Sequence, residues 1–147
     1  MKSILKPIIT TCAIVLFLLA TLACKKEDGS NQNEIDRELI ETYVFDHQLT
    51  GTFTTTGLYY QIQLPGTEIH PSLSSTITVS YKGFTLSGSA VDDGSFVPFK
   101  LNQLITGWQE GLQLIGEGGK IKLIIPSAQA YGKEVLVFDI TLHYFSK

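Results

Sequence analysis

The segment formed by residues 104–132 most strongly constrains how this chain can fold. Its first part predicts a helix, because apolar residues recur there at helical spacings, at Leu104, Trp108, Leu112 and Ile115. Three glycines, at positions 116, 118 and 119, are expected to end that helix. From Lys120 to Ile125 apolar and polar residues alternate, which predicts a half-buried strand. The helix, with the only Trp of the chain, is therefore expected to lie on the apolar side of that strand.

The first 23 residues have the pattern of an export signal. Lys2 and Lys6 give a basic start, and the apolar run that follows is short for a bilayer span. The sequence Thr-Leu-Ala-Cys at residues 21–24 resembles the lipobox of bacterial lipoproteins, in which the Cys becomes the acylated first residue. This resemblance predicts lipidation at Cys24, a lipid-anchored protein and a location in the bacterial cell envelope, at the periplasmic or the outer-membrane surface. Simple secretion and a retained anchor are the alternatives.

The sequence divides into four parts. We predict a lipoprotein signal peptide at residues 1–23, a polar flexible tether at 24–33, an N-terminal helix at 34–50 and one folded domain at 51–147. Cys12 belongs to the signal and Cys24 carries the lipid, so no disulfide is expected. The formal net charge is −3 and basic residues are not clustered, which argues against nucleic acid as a partner.

The N-terminal helix is predicted from an apolar stripe within residues 34–49, formed by Ile35, Leu39 and Tyr43. That stripe needs a surface to pack against. Two surfaces are available to it: the flank of the folded domain, or the same helix in a second copy of the chain, which would give a homodimer.

The rest of the domain has the period of strands. Apolar and polar residues alternate over residues 58–64, 76–82 and 136–144. Strands with one apolar and one wet face suit an antiparallel sheet that is covered on one side only. The sequence thus predicts an α+β fold, in which an antiparallel half-barrel wraps around the helix with Trp108 and carries an extra N-terminal helix.

Residues for hydrolytic, redox or metal chemistry are not grouped in this sequence. It has no glycine-rich phosphate loop, no nucleophile elbow and no His or Cys pair at ligand spacing, so we expect neither a cofactor nor a metal. The histidines at 47, 70 and 143 and the pair Asp92-Asp93 are interpreted as solvated side chains. What stands out is a set of aromatic residues at the ends of elements: Tyr81, Trp108, Tyr131 and Phe138.

These aromatics belong to motifs that resemble one family. In order, the motifs are Val-Ser-Tyr-Lys-Gly at 79–83, Asp92, Phe-Lys-Leu at 99–101, Leu-Ile-Thr-Gly-Trp-Gln-Glu-Gly at 104–111, Ala-Tyr-Gly at 130–132 and Leu-Val-Phe-Asp at 136–139. Together they resemble the FKBP-type peptidyl-prolyl cis/trans isomerases. The resemblance implies a twisted antiparallel sheet around one short helix, no cofactor, and proline-containing polypeptide segments as substrates.

The resemblance also implies a site. Its catalytic residues would be Tyr81, Asp92, Ile105, Trp108, Tyr131 and Phe138, with substrate-binding contacts from Val91, Val97 and Leu104. The indole of Trp108 would form the floor, and the Ile105 N–H and the Tyr131 hydroxyl would orient the substrate carbonyl. Val91 stands where the family usually has Phe, and only residues 133–135 join Gly132 to the last strand. We therefore expect a shallow, wet pocket and an activity below the family norm.

Three functions follow from these observations. The first is a lipid-anchored prolyl isomerase that assists the folding of exported or envelope proteins. The second is a catalytically weak peptide-binding module or chaperone that uses the same groove. The third is a structural envelope lipoprotein that self-associates through the N-terminal helix.

Overall fold

A computed structural model describes residues 29–146. The predicted signal peptide, Cys24 and the tether up to residue 28 lie outside this range, as does Lys147. The elements are α1 (Gly29–Asp46), β1 (Thr52–Phe53), β2 (Tyr59–Leu64), β3 (Thr76–Thr85), β4 (Ala90–Lys100), α2 (Thr106–Leu112), β5 (Lys120–Ile125) and β6 (Leu136–Ser146), with 3₁₀ turns at Leu101–Gln103 and Ser127–Gln129. Among these residues no helix is both long and apolar enough to cross a membrane.

The strands form one antiparallel sheet in the order β1-β2-β5-β6-β3-β4. Its centre is the long pairing of β3 with β6, which extends from Thr76–Ser146 at one end to Thr85–Leu136 at the other. β5 pairs with the other side of β6, and a 2.6 Å ion pair joins Lys122 to Asp139 across that pairing. The predicted α+β class with an antiparallel sheet around one short helix is confirmed.

Helix α2 covers the concave face of the sheet. Buried apolar side chains from α2 and the strands form one core there, including Ile77, Val79, Trp108, Leu112, Ile121, Leu123, Phe138 and Leu142. Gly107 and Gly111 face β5, and a Cβ atom at either position would lie 2.5 Å from a side-chain carbon of Ile125 or Leu123. The absence of these two side chains lets the helix approach the strand closely. Because of this close approach, Trp108 on the helix is buried in the core.

The expectation that the sheet is covered on one side only is wrong. Helix α1 packs on the opposite face, where Ile40 is fully buried with Tyr59, Ile124, Val135 and Val137. The guanidinium of Arg37 lies 3.4 Å from the centre of the Phe53 ring. Val137 alternates with the core residues of β6 and was assigned to the wet face, but α1 supplies a second apolar layer there. Of the two surfaces considered for this helix, the flank of the domain is the one it contacts within the chain.

The predicted alternation along β6 fails near its end. Val79 pairs with Leu142 whereas Thr78 pairs with Tyr144, so His143 is an extra residue in the ladder. A bulge of one residue turns every later side chain to the other face. Tyr144 is consequently 55% exposed, although it was expected on the apolar face, and Phe145 packs against the core instead.

Several element ends differ from the predicted ones. α1 begins at Gly29, inside the segment expected to be a flexible tether, and ends at Asp46. The amide of Gln32 donates a 2.7 Å hydrogen bond to Asp36 one turn later, which supports the helix in this first part. α2 ends at Leu112, before the glycines, because the chain turns there and the N–H of Gly116 donates to the carbonyl of Pro65. Strand β4 was not predicted, since its residues do not alternate regularly.

The contact between α2 and β5 gives a stability prediction. Gly111→Ala should lower the free energy of unfolding by about 1–3 kcal/mol, because the new methyl group overlaps the buried Leu123 side chain. Helix propensity alone predicts the opposite sign, a gain of about 1 kcal/mol. Urea unfolding followed by circular dichroism measures the difference. The double variant with Leu123→Val, which removes part of the clashing side chain, should lose less than the sum of the single variants; additive losses would show that the contact is not the cause.

Candidate active site

A cavity opens on the concave side of the sheet, above the N-terminal end of α2. Its volume is about 130 Å³, below the roughly 300–1,000 Å³ that is typical of small-molecule pockets. The lining comes from β3, β4, α2 and its preceding residues, the loop after β5, and β6: Tyr81, Asp92, Phe99, Leu104, Ile105, Trp108, Tyr131 and Phe138. A cavity of this size holds one ring-sized apolar group, so an extended polypeptide would place only one residue in it.

Trp108 forms the floor of this cavity and is 4% exposed. Tyr81 and Phe138 meet it edge to face, with ring centres 5.0 and 5.3 Å away. Phe99 meets it in the same way at 6.2 Å. Edge-to-face packing holds aromatic rings in fixed orientations, so the floor and three walls form one rigid unit. Within residues 29–146 the indole N–H of Trp108 has no hydrogen-bond partner, although it is buried.

Tyr81 and Asp92 join two neighbouring strands at the rim of the cavity. The Tyr81 hydroxyl donates a 2.8 Å hydrogen bond to Oδ2 of Asp92, and the other carboxylate oxygen accepts from the N–H of Asp93. Burial, followed by the hydrogen bond and the charge of Asp92, raises the pKa of Tyr81 from 10.0 to about 12. Tyr81 is therefore a neutral phenol near pH 7, with its proton directed at Asp92 and not into the cavity.

Two further polar groups at the cavity are the backbone N–H of Ile105 and the hydroxyl of Tyr131. Ile105 is the N-cap residue of α2, and its carbonyl accepts hydrogen bonds from the N–H groups of Trp108 and Gln109. Its own N–H finds no acceptor among residues 29–146. Tyr131 lies after the 3₁₀ turn Ser127–Gln129 and is 64% exposed, so it stands at the open side of the cavity.

The structure brings together seven of the residues singled out in the sequence: Tyr81, Asp92, Leu104, Ile105, Trp108, Tyr131 and Phe138. Two others do not line the cavity. Val91 is 43% exposed and is the extra residue of a bulge in β4, since Gly83 pairs with Asp92 whereas Phe84 pairs with Ala90. Val97 pairs with Val79 and lies beside Gly94, and it is not among the residues that line the cavity.

Phe99 lines the cavity but was not selected from the sequence. The pairing of β3 with β4 shifts register between Val79 and Tyr81, so β4 has a bulge there and Phe96 has a positive φ of 53°. This bulge brings Asp92 and Phe99, seven residues apart, to the same side of the strand. The sequence contains a signal for Phe99, since this residue belongs to the motif at 99–101. Regular alternation along a strand, however, would place Phe99 and Asp92 on opposite faces.

The histidines have local partners instead of a common site. His47 stacks on Tyr43, His70 bonds to the carbonyl of Gln113, and His143 stacks on Phe96 and bonds to Ser80. In the described part of the chain, no three His, Cys, Asp or Glu side chains lie close enough together to hold a metal ion.

The comparison with known families gives the class of this protein. Residues 67–143, which contain α2, most of the sheet and all eight residues that line the cavity, match the family described as FKBP-type peptidyl-prolyl cis-trans isomerase. This segment is more than half of the chain. The chain therefore belongs to the FKBP-type peptidyl-prolyl cis-trans isomerase family.

Individual relatives agree with this result. The isomerase FkpA of Escherichia coli (strain K12) is 41% identical over 102 residues, in a match that covers 60% of this chain and 38% of that relative. FkpA of Aeromonas hydrophila is 40% identical over 102 residues, with the same shares. This chain thus spans about two fifths of the length of the curated relatives it matches.

Solved structures support the same fold over a longer part of the chain. The crystal structure of FkpA from Escherichia coli superposes with a TM-score of 0.66 at 29% identity and covers 99% of this chain and 75% of that one. A peptidyl-prolyl cis-trans isomerase from Pseudomonas syringae pv. tomato gives the same TM-score at 27% identity, over 78% of this chain and 96% of that one.

The hydrogen bond between Tyr81 and Asp92 predicts a pH effect. A pKa raised to about 12 means that folding favours the neutral phenol, and this contribution is present below about pH 10 and is lost as the pH rises through about 12. Asp92→Asn should lower the pKa of Tyr81 but leave it above 10.0, since burial is the largest cause and remains. A ¹³C-tyrosine NMR titration measures it. Asp93→Asn is the control and should change the pKa of Tyr81 less. Equal effects of the two substitutions would show that the hydrogen bond to Asp92 does not raise this pKa.

Proposed function

We propose that this protein catalyses the cis/trans isomerisation of peptide bonds that precede proline. The observation that carries the proposal is the cavity over Trp108, which combines a rigid aromatic floor and walls with an unpaired N–H at its rim. Family membership supports the same activity, since the relatives are named as peptidyl-prolyl cis-trans isomerases. The substrates would be proline-containing segments of other polypeptides.

The chemistry needs no covalent step. Rotation about a peptide C–N bond has a barrier of about 18–20 kcal/mol, because resonance gives the bond partial double-bond character and holds it planar. For a bond before proline this makes uncatalysed isomerisation take roughly tens to hundreds of seconds. A pocket that binds the twisted amide more tightly than the planar amide lowers this barrier. Here the proline ring would sit on the Trp108 indole, between the rings of Tyr81, Phe99 and Phe138.

The polar groups would hold the carbonyl of the residue before proline while the bond turns. The N–H of Ile105 would donate to this oxygen from the start of α2. The Tyr131 hydroxyl would reach it from the open side, where its ring is mostly solvent-exposed. Asp92 would act indirectly, by fixing the phenol of Tyr81 as a wall of the pocket.

We further propose that this activity is lower than that of the family in general. The connection from Gly132 to β6 has only residues 133–135, so little chain is available to cover the pocket. Val91 points away from the cavity, and Tyr131 is 64% exposed. A cavity that admits water discriminates less between planar and twisted amides, because solvent keeps stabilising the polar planar form.

The same openness favours a second candidate function. A shallow cavity with the exposed ring of Tyr131 at its open side can bind extended proline-bearing or apolar segments without accelerating their isomerisation, as a chaperone-like binding module does. The two functions share the cavity and differ in rate enhancement. A peptide that binds in the cavity but isomerises at the uncatalysed rate would favour the binding module.

A pair of exposed tyrosines provides the test. Tyr131→Ala should lower kcat/KM for a proline peptide about tenfold, because it removes one hydrogen-bond donor and one wall, a loss of about 1.4 kcal/mol. Tyr144→Ala is the matched control, since Tyr144 is 55% exposed and lies outside the cavity lining, and it should leave kcat/KM unchanged. A protease-coupled assay on the purified full-length protein measures both. A wild-type rate equal to the uncatalysed rate would contradict the proposed isomerase activity. A wild-type rate equal to that of FkpA from Escherichia coli, assayed alongside, would contradict the proposal that the activity is reduced.

We propose that this isomerase is a lipoprotein of the bacterial cell envelope, anchored through Cys24, and assists the folding of exported proteins. The support is the sequence of residues 1–24, a basic start and apolar run followed by Thr-Leu-Ala-Cys. Several acyl chains on one Cys give stable membrane binding, whereas one chain does not. The curated relatives described above are also bacterial proteins.

Replacing the proposed lipid attachment site tests this anchor. In a bacterial host that processes lipoproteins, the wild-type protein should partition into detergent and Cys24→Ser into the aqueous phase, since Ser accepts no thioether-linked lipid. A wild-type protein that remains aqueous would contradict lipidation. Sedimentation of the aqueous Cys24→Ser protein then tests self-association through α1, on which Ile35 and Leu39 are 42% and 47% exposed. If the Cys24→Ser protein sediments as a monomer, the predicted homodimer and the structural role based on it are contradicted.

A further inference from the structure

A buried carboxylate joins the N-terminal helix to the domain. Asp36 on α1 is 1% exposed, and its Oδ2 accepts two hydrogen bonds from Ser127, from the N–H at 2.7 Å and from the hydroxyl at 2.6 Å. Its Oδ1 accepts a third, from the Gln32 amide. Ser127 is itself 4% exposed. A buried carboxylate is costly unless several donors satisfy it, so this contact fixes both partners closely.

Ser127 begins the loop that carries Tyr131. The Ser127 carbonyl accepts hydrogen bonds from the N–H groups of Ala130, at 3.1 Å, and Gly132, at 2.8 Å. These two residues flank Tyr131 in the chain. One residue thus connects the carboxylate on α1 to both neighbours of a side chain that lines the cavity.

Two further contacts hold the same loop from other sides. The amide of Gln129 donates to the carbonyl of Thr56, and the hydroxyl of Thr106 on α2 donates to the carbonyl of Gln129 at 3.3 Å. Neither reaches the residues next to Tyr131. The hydrogen bonds of the Ser127 carbonyl, together with the packing of Ala130 against the core, therefore fix where Tyr131 stands.

We infer that Asp36 is a positioning residue for the proposed isomerase site, acting through Ser127 on Tyr131, and that α1 is thereby a working part of that site. The inference rests on the proposed function. Because Tyr131 is 64% exposed, packing does little to hold its ring, and its place depends on its backbone.

Kinetics of five variants of the full-length protein test the inference. Asp36→Ala should lower kcat/KM about fivefold or more through kcat, since a misplaced group weakens transition-state contacts more than ground-state binding. Asp36→Asn should restore most of the rate, because its amide oxygen accepts both bonds from Ser127. Glu38→Ala is the matched control, as Glu38 is exposed on the same helix. In the Tyr131→Ala background, Asp36→Ala should have no further effect, because the residue it positions is gone.

Hydrogen exchange gives a second measurement that needs no activity. Asp36→Ala should speed exchange of the amides in residues 127–132, including Ser127, Ala130 and Gly132, by about tenfold or more, while Glu38→Ala leaves it unchanged. Circular dichroism confirms that each variant is folded at the assay temperature. If the wild type proves inactive, the proposed function fails, and this experiment still decides whether Asp36 holds the loop.

Each outcome is decisive. Unchanged exchange in Asp36→Ala would overturn the inference, as would faster exchange with an unchanged kcat. An equal loss of rate in the presence and absence of the Tyr131 side chain would also overturn it, because Asp36 would then act only through general stability. Faster exchange, a lower kcat, rescue by Asn and no effect in the Tyr131→Ala background together would establish it.

Discussion

The close approach of α2 to β5 is the contact on which the rest of this structure depends. Two residues without side chains, Gly107 and Gly111, face Ile125 and Leu123 and leave no room for even a methyl group. The helix therefore packs closely against the concave face of the sheet, and Trp108 on this helix is buried there. Since Tyr81, Phe99 and Phe138 all pack edge to face on this one indole, the depth of the helix sets the shape of the cavity.

The cavity is built from two kinds of wall. The walls from the strands are rigid, because their rings are held by the core and, at Tyr81, by a hydrogen bond to Asp92. The wall from the loop after β5 is different, as Tyr131 is mostly exposed and is held through its backbone. The cavity therefore has one wall whose place is set by hydrogen bonds within a loop and not by packing in the core.

Helix α1 extends this arrangement to the other face of the sheet. It covers an apolar patch around Ile124 and Val137 with Ile40, and it reaches around the end of β5 with Asp36. The domain therefore has two cores separated by the sheet, and the loop that carries Tyr131 lies where elements of both meet. The N-terminal helix is therefore a packed part of the domain and not only a connection to the preceding residues.

Much of the fold was contained in the sequence. The helical spacing around Trp108 and the alternation of Lys120 to Ile125 were enough to predict the class and the covering helix, because local period is a property of the chain itself. Seven of the cavity residues were predicted from the resemblance that the family motifs carry. Only the tertiary structure decided which faces became buried and where the side chains pointed. The bulges at His143 and in β4 exchanged Tyr144 for Phe145 and brought Phe99 to Asp92, and α1 converted a wet face into a second core. Register and the docking of one element on another depend on residues far apart in sequence, which no local pattern records.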